Sequence, residues 1–431
     1  MDSFAVRNPS GFHRRASPRF AVCDQIPAVH PSPTAIHPKK VGLVPISSFI
    51  RINQLKTTTM THRKTNATNH DGSVSTVSFS LLTLGVLSML APQAQAQGCV
   101  ASRGSGACIL NHGEDTYLHA GSWQATVGYR WLYSDKHFRG SKEETERQTL
   151  GTDVRNDSHF VDATLTYAIS KRTSFSLTVP FVSSVRSSLY EHGIKDSAGK
   201  SERREMSASG LADIRLTSSI WIFDPETHHN GNLALGIGVK APTGDSEAKD
   251  FKYKANGPLL DFVDQSIQPG DGGWGVILDA QGFQKIYGNA SAYMQMSYLI
   301  SPEELNGAYS INSSTQVKRY HSIPDSYLLR AGVSYAIWPS KGLSMSLGAR
   351  MEGVPVEDLI GGSLGFRRPG YAISIEPGVS WMYKKFAFNV SVPVAVERNR
   401  QRSYIEIIEN RPGGDAAFAD YIITSSISYR F

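Results

Sequence analysis

The sequence predicts an all-β fold, a 12-stranded antiparallel transmembrane β-barrel with short periplasmic turns and long external loops. Three observations predict it. Apolar and polar residues alternate with a period of two through twelve runs between Ser122 and Phe431. The connections between these runs are alternately short and long. A segment with the make-up of a secretory leader precedes the first run.

Each run supplies two faces, because successive side chains of a strand point to opposite sides. In "WQATVGYRWLY", Trp123, Ala125, Val127, Tyr129, Trp131 and Tyr133 share one face, and Gln124, Thr126, Gly128 and Arg130 the other. "FVDATLTY" sets Val161, Ala163, Leu165 and Tyr167 against Asp162, Thr164 and Thr166. "SFSLTVPF" sets Phe175, Leu177, Val179 and Phe181 against Ser176 and Thr178. "LADIRLTSSIWI" sets Ile214, Leu216, Ile220 and Ile222 against Asp213, Arg215, Thr217 and Ser219. "NLALGIGVK" sets Leu233, Leu235, Ile237 and Val239 against Ala234, Gly236, Gly238 and Lys240. "WGVILDAQG", "NASAYMQMSY", "YLLRAGVSYAI", "LSMSLGARME", "YAISIEPGVSW", "FAFNVSVPVAV" and "YIITSSISYRF" continue the pattern. No run of helical period competes with them.

The short links are "ISKRT", "FDPETHHNGN", "QKIYG", "WPSKG" and "MYKKF". The long ones are 134–157, 187–209, 244–272, 301–325, 353–370 and 398–419. An even strand number puts both ends of the barrel on the short-turn side. In lipid every backbone N–H and C=O needs a partner, so a spanning sheet must close on itself. Its outer face must be apolar, with Tyr and Trp at the two interfaces. A tilted strand of about 9–11 residues crosses the bilayer. A soluble lipocalin-like barrel or sandwich would bury the apolar face, but nothing in that design requires the loop asymmetry. The run ending at Phe431 is then the strand that closes the barrel against the first.

Four regions follow. Residues 1–59 are rich in Pro, Arg and Ser and read as an upstream extension, which leaves Met1 and Met60 as alternative starts. Residues 60–96 read as a signal peptide. "MTHRK" is the basic start, Phe79 to Ala91 the apolar core, and Ala94 to Ala96 the small-x-small site before Gln97. Residues 97–121 form a periplasmic segment that either stays a tied leader or enters the lumen as a plug. Residues 122–431 form the barrel. The formal charge agrees with this division. Residues 1–96 carry a surplus of seven positive charges, whereas the whole chain is only +6, so the remainder is nearly neutral. That sets nucleic-acid binding aside. Cys23 falls in the leader, and Cys99 and Cys108 most simply form one disulfide in an exported chain.

From Gly210 to Asp245 the chain resembles the outer-membrane family associated with the meta pathway of phenol degradation, itself loosely related to fatty-acid and aromatic-hydrocarbon channels. The shared residues are Gly210, Asp213 and Leu216, then Pro242, Thr243 and Gly244; "LTVPF" and "VSVPV" are similar to the family's strand ends on Pro. The resemblance implies uptake of small compounds, hydrophobic or aromatic ones among them. A terminal Phe431 on an alternating strand also resembles the signal read by the bacterial barrel-assembly machinery. It implies that machinery as a partner, beside outer-membrane lipid, and the bacterial outer membrane as the location.

Charges on the polar face are Arg130, Asp162, Asp213, Arg215, Lys240, Asp279, Arg330, Arg350, Glu352 and Glu376. They either line a selective pore or neutralise one another in a narrow barrel. Five of each sign favour the second for most of them, and Asp213 and Arg215 are the pair to test first. In the connection 244–272, Leu259, Leu260, Phe262 and Val263 offer an apolar patch to a hydrophobic solute, unless they fold onto their own loop. No Ser sits in a nucleophile elbow. His228 and His229 lie in a short turn beside Asn230 and Gly231, which reads as turn chemistry. "GDSEAKDF" and "QPGDGGW" lack the spacing of a calcium loop. Catalysis, a metal and a cofactor are therefore not expected. Two function classes remain: a channel for passive uptake, or a structural, adhesive or enzymatic barrel without transport.

Overall fold

The structure is a computed structural model and describes residues 117–189, 191–192, 202–311 and 317–431. The upstream extension, the signal peptide with its cleavage site after Ala96, and the Cys99–Cys108 pair lie outside the described residues, as does most of the segment 97–121.

Twelve strands form one ring. They are β1 (Trp123–Arg139), β2 (Arg155–Ala168), β3 (Thr173–Ser188), β4 (Arg204–Leu211 and Arg215–Trp221), β5 (Gly231–Lys240) and β6 (Gly275–Tyr287). The others are β7 (Ala290–Ile300), β8 (Ser326–Trp338), β9 (Leu343–Val354), β10 (Gly370–Tyr383), β11 (Phe386–Ser391 and Val394–Arg400) and β12 (Ala416–Arg430). Each pairs antiparallel with the next, and β12 pairs with β1 in the register Gln124↔Arg430, Val127↔Ile427 and Trp131↔Ile423. Closure leaves no bare edge along the wall, so the backbone polar groups are satisfied within the sheet.

The period of two now has a physical meaning. Ile237 and Leu347 are each 60% exposed, and Val127, Leu235 and Ile375 also point away from the ring. A wall of exposed branched side chains is tolerable only in lipid. Aromatic rings mark its two borders. At the short-turn end Trp123 packs on Tyr167 at 4.5 Å and Phe386 on Tyr429 at 4.8 Å. Toward the loop end Trp131 meets Tyr421 at 5.9 Å. Trp123 and Tyr133, the outermost rings of the β1 face, are about 33 Å apart along the strand at ~3.3 Å per residue. Tilt reduces that to about 25 Å across the bilayer.

Two differences from the sequence expectation matter for the lumen. The strands run further toward the loop end, since β1 reaches Arg139 where a connection was expected from residue 134. In addition, β4 and β11 are each broken. At Ala212–Ile214 the Thr243 hydroxyl accepts the Ile214 N–H at 2.9 Å and donates to the Ala212 carbonyl at 2.9 Å. Asp213 accepts the N–H groups of Gly244 at 3.0 Å and Asp271 at 3.2 Å. Side chains thus replace the interrupted ladder. Gly244 is required here by close approach: a Cβ would lie 2.7 Å from the Gly270 Cα. In β11 the break falls at Val392 and Pro393, where Pro has no N–H to give. Above it a single register pair, Val394↔Tyr421, joins β11 to β12. Arg398 bridges the seam instead, donating to the Ala419 carbonyl at 2.9 Å and to Asp420 at 2.6 Å.

The long connections carry structure of their own. Lys249–Lys254 pairs with Gly257–Phe262 in one hairpin, and Leu305–Ile311 with Lys318–Ser322 in another. A short helix, Tyr404–Ile408, starts at a capping box made by Ser403 and Glu406.

Candidate functional site

The inward faces divide the lumen into two unlike walls. On β1 to β4 they carry hydroxyls, which pair across neighbouring strands. Thr126 meets Ser428 at 2.8 Å, Thr164 meets Thr178 at 2.9 Å, Thr166 meets Ser176 at 2.8 Å and Ser174 meets Ser219 at 3.0 Å. These side chains are short, and Gly236 and Gly238 of β5 add nothing to the wall. A cavity of about 360 Å³ remains beside them. Its lining runs from Gln124, Arg172 and Arg430 at the short-turn end to Gln265, Gln268 and Asp271 at the loop end.

The opposite wall is charged and filled. Arg330 and Arg350 face each other in register, which two like charges tolerate only with compensation. Glu376 accepts from Arg330 at 2.9 and 2.8 Å and from the Ser391 hydroxyl at 2.7 Å. Glu352 accepts from Arg350 at 3.1 and 2.8 Å. Arg350 and Glu376 are each 1% exposed, and the hollow left beside this wall is only about 110 Å³. Removing one member of such a set leaves a buried charge uncompensated, at about 3–5 kcal/mol.

The other charges on the polar face are also engaged. Arg215 approaches Asp162 at 3.6 Å. Lys240 lies 3.6 Å from Asp213 and also pairs with Asp271. Arg130 lies over the Phe160 ring at 4.3 Å. Asp213 is thus a tie between β4 and the bases of the long connection after β5. Asp279 is reached by Arg215 at longer range than an ion pair. It lines the larger cavity and is hydrogen-bonded by Ser297. Among the described residues, no Lys or Arg forms an ion pair with it.

A roof closes the loop end. Asp264 accepts from Arg368 at 2.7 and 2.6 Å and lies 3.6 Å from Arg186 of β3. It also caps the short helical turn Gln265–Ile267. Burial pushes its carboxyl up, but the two guanidiniums outweigh burial and hold it well below the usual carboxylate range. Gln265 then donates to the Ser322 carbonyl at 2.7 Å, and Asn306 to the Asp271 carbonyl at 2.9 Å. Val263 and Ile267 pack on Met206 and Ala208 of the upper half of β4.

Sequence reasoning missed this roof, whose only local signal is the cap Asp264-x-Ser266. It also missed the short-turn mouth. There Tyr117 is buried against the inward Trp221 at 5.1 Å and Phe283 at 6.0 Å. Its hydroxyl donates to the His228 carbonyl at 2.8 Å and accepts from Asn232 at 3.1 Å. The loop patch divides. Leu259 and Leu260 are exposed, whereas Phe262 and Val263 are buried, Phe262 against Tyr309 at 5.0 Å. His228 hydrogen-bonds Thr227 at 2.8 Å within its turn. In the acidic loop stretches, Asp271 is taken by Lys240 and Asp245 accepts the Glu247 N–H at 2.9 Å.

No family model matches the chain, and no curated protein is similar to it in sequence. Among solved structures, an outer membrane channel from Pseudomonas putida F1 is 14% identical over 76% of this chain and 99% of its own, with a TM-score of 0.47. The toluene transporter TodX of P. putida is 10% identical, covering 73% and 90%, with a TM-score of 0.34. The toluene transporter TbuX of Ralstonia pickettii is 12% identical, covering 78% and 96%, with a TM-score of 0.36. These likenesses are distant. The fold assignment rests on the closed sheet itself.

Proposed function

We propose that this protein is a channel of the bacterial outer membrane that lets small molecules pass down their gradient. One observation carries the reading: a hydroxyl-lined cavity of about 360 Å³ runs along the barrel from the short-turn mouth to the loop roof. That volume lies in the ~300–1,000 Å³ range of small-molecule sites. A barrel serving only as a scaffold or an adhesin has no need of such space, and its lumen is better filled. The apolar outer wall sets lipid as its surroundings, with the short turns in the periplasm and the long loops outside.

Export and assembly fit the same reading. The signal peptide is cleaved near Ala96, and the barrel-assembly machinery engages the last strand through Phe431. Phe431 follows the closing strand directly, bonded through its N–H and carbonyl to Trp123 at 3.0 and 2.9 Å, with its ring exposed. The aromatic or hydrophobic solutes implied by the resemblance have one matching feature, the Tyr117, Trp221 and Phe283 cluster at the mouth. The rest of the path mixes hydroxyls, amides and charges with Ile277, Leu299 and Val354. Planar-bilayer recording on purified protein tests the proposal. Discrete conductance steps are expected. Their absence in a barrel shown to be folded by its electrophoretic mobility returns the protein to the structural or enzymatic class.

A further inference from the structure

The cations along the larger cavity are unevenly answered. Lys240 has Asp213 and Asp271 beside it. Arg215 has Asp162 at 3.6 Å and Asp279 at longer range. These groups neutralise the lining toward the loop end. At the short-turn mouth the lining includes Lys171, Arg172 and Arg430, and among the described residues no Asp or Glu joins them there. Lys171 pairs with Glu226, which does not line the cavity, and Arg430 donates to the Gln124 amide at 2.9 Å. Arg172 forms no ion pair among the described residues.

Arg172 is nevertheless held in place. The Ser170 hydroxyl accepts the N–H groups of Arg172 and Thr173 at 3.2 and 3.0 Å, which fixes the turn between β2 and β3. Nε donates to the Trp221 carbonyl at 2.9 Å and Nη2 to the Ile222 carbonyl at 2.5 Å. A guanidinium carries five N–H donors in a rigid fork. The protein uses one edge of that fork on neutral carbonyls, and Nη1 makes no hydrogen bond among the described residues. The charge is thus oriented by the protein without being cancelled by it. A carboxylate meets such a fork through parallel N–H···O bonds.

An apolar surface lies next to it. The Trp221 N–H donates to the Arg172 carbonyl at 2.8 Å, so the two residues are neighbours across β3 and β4. The half-buried indole lines the cavity, with the Tyr117 and Phe283 rings set against it at 80° and 81°. Leu118 adds to the same lining. Further into the lumen the Ser174 and Ser219 hydroxyls begin the polar wall. An inorganic anion gains from the guanidinium alone, and a neutral aromatic from the indole alone. An amine is repelled by Arg172. A small organic acid with a flat apolar body gains from both.

We infer that Arg172 and Trp221 form a solute-binding site at the short-turn mouth that takes small monocarboxylates with an aromatic or alicyclic body. This rests on the channel reading above, and it names the substrate class of that channel from the chemistry of its mouth.

Current block in single channels at neutral pH tests it. The probes are benzoate, benzamide, which has the same shape without the charge, and acetate, which has the carboxylate without the ring. In the native barrel benzoate should reduce the potassium chloride current at roughly a tenfold lower concentration than either, the worth of one charge-assisted hydrogen bond. Arg172→Gln should abolish the difference between benzoate and benzamide. Arg172 is exposed and belongs to a turn, so this variant should still fold and conduct. Arg172→Lys, which keeps the charge without the fork, should retain part of the difference. Trp221→Ala should remove the advantage of benzoate over acetate. Equal block by benzoate and benzamide in the native barrel overturns the assignment, as does a difference that survives Arg172→Gln. Acetate that blocks as tightly as benzoate also overturns it and leaves a site for bare anions. A folded native barrel that passes no current overturns the channel reading itself.

Discussion

His321 shows what burial does to a single side chain in the loop region. It is fully buried in the hairpin after β7, with Nε2 2.9 Å from the Ser310 hydroxyl and its ring 5.9 Å from Phe366. Burial pushes its pKa down to about 4; Asp264 opposes that shift, and Arg368 and Lys252 add to it. The folded value lies below the ordinary one near 6.5, so the folded loop binds fewer protons than the unfolded one. The neutral ring's contribution is complete above pH 6.5 and is lost as pH falls toward 4, at up to about 1.4 kcal/mol per pH unit. Buried His192 is shifted in the same direction by burial. Asp415, held at about 2 by His137 and Arg147 against the upward push of burial, stays ionised through this window. Amide protection factors in the hairpin Leu305–Ile311 and Lys318–Ser322 should therefore fall between pH 6.5 and 4. His321→Gln should flatten that dependence there and leave the response around His192 in place. An unchanged profile in the variant would assign the effect elsewhere.

At the scale of the element, each barrel strand is two surfaces joined by one backbone, and a test can address them separately. Leu347 and Ser346 are neighbours in β9; Leu347 is 60% exposed to the lipid side, and Ser346 lies beside the hollow along the charged wall. Leu347→Arg should cost about 2–4 kcal/mol near the bilayer midplane. Ser346→Arg should fold and lower conductance, read by heat-modifiable mobility and bilayer recording. Equal loss of folded barrel in both would contradict the two-faced strand. This alternation was legible in the sequence because a lipid-facing strand has no other way to place its side chains. The breaks were not. "LADIRLTSSIWI" reads as one strand from Leu211, yet it breaks after Leu211 because Thr243 takes the Ala212 carbonyl and the Ile214 N–H while Asp213 turns to the N–H groups of Gly244 and Asp271. That outcome depends on residues about 30 positions downstream, |i−j| = 31 for Gly244 and Asp213. Pro393 did leave a visible mark, but whether it bends, ends or merely interrupts β11 depends on the seam that Arg398 spans. That the charges in the lumen share one strand face was legible from their parity. Their pairing was not, because Arg330 and Glu376 sit on β8 and β10, and the curvature of the closed ring brings them together across the strand between.

At the scale of the whole molecule, the roof decides how much of the cavity communicates with the outside, and it is assembled from distant parts of the chain. Asp264 comes from the connection after β5, Arg186 from β3 and Arg368 from the connection before β10; the Arg368 contact spans |i−j| = 104. No period or spacing announces such a meeting, and so the sequence located the long loops without showing that one of them turns inward. The same geometry makes the roof separable from the wall. Asp264 belongs to no barrel strand, and its removal leaves the register of β1 to β12 untouched. Asp264→Asn keeps the shape of the side chain and its acceptor for the Ser266 N–H, but removes the anion that Arg368 meets at 2.6 Å, while Arg186 keeps Glu191 at 2.7 Å. Loss of this charge-assisted pair weakens the anchor of the turn Gln265–Ile267 and leaves local strain that favours an open arrangement. Removing the loop anchor as well, in the double variant Asp264→Asn with Arg368→Gln, should relieve part of that strain. Single-channel conductance should rise severalfold in Asp264→Asn and fall back in the double variant, with electrophoretic mobility of the folded barrel unchanged in both. If conductance stays at the native value while the roof residues become protease-accessible, the narrowest point lies at the other end, where Tyr117 meets Trp221 and Phe283.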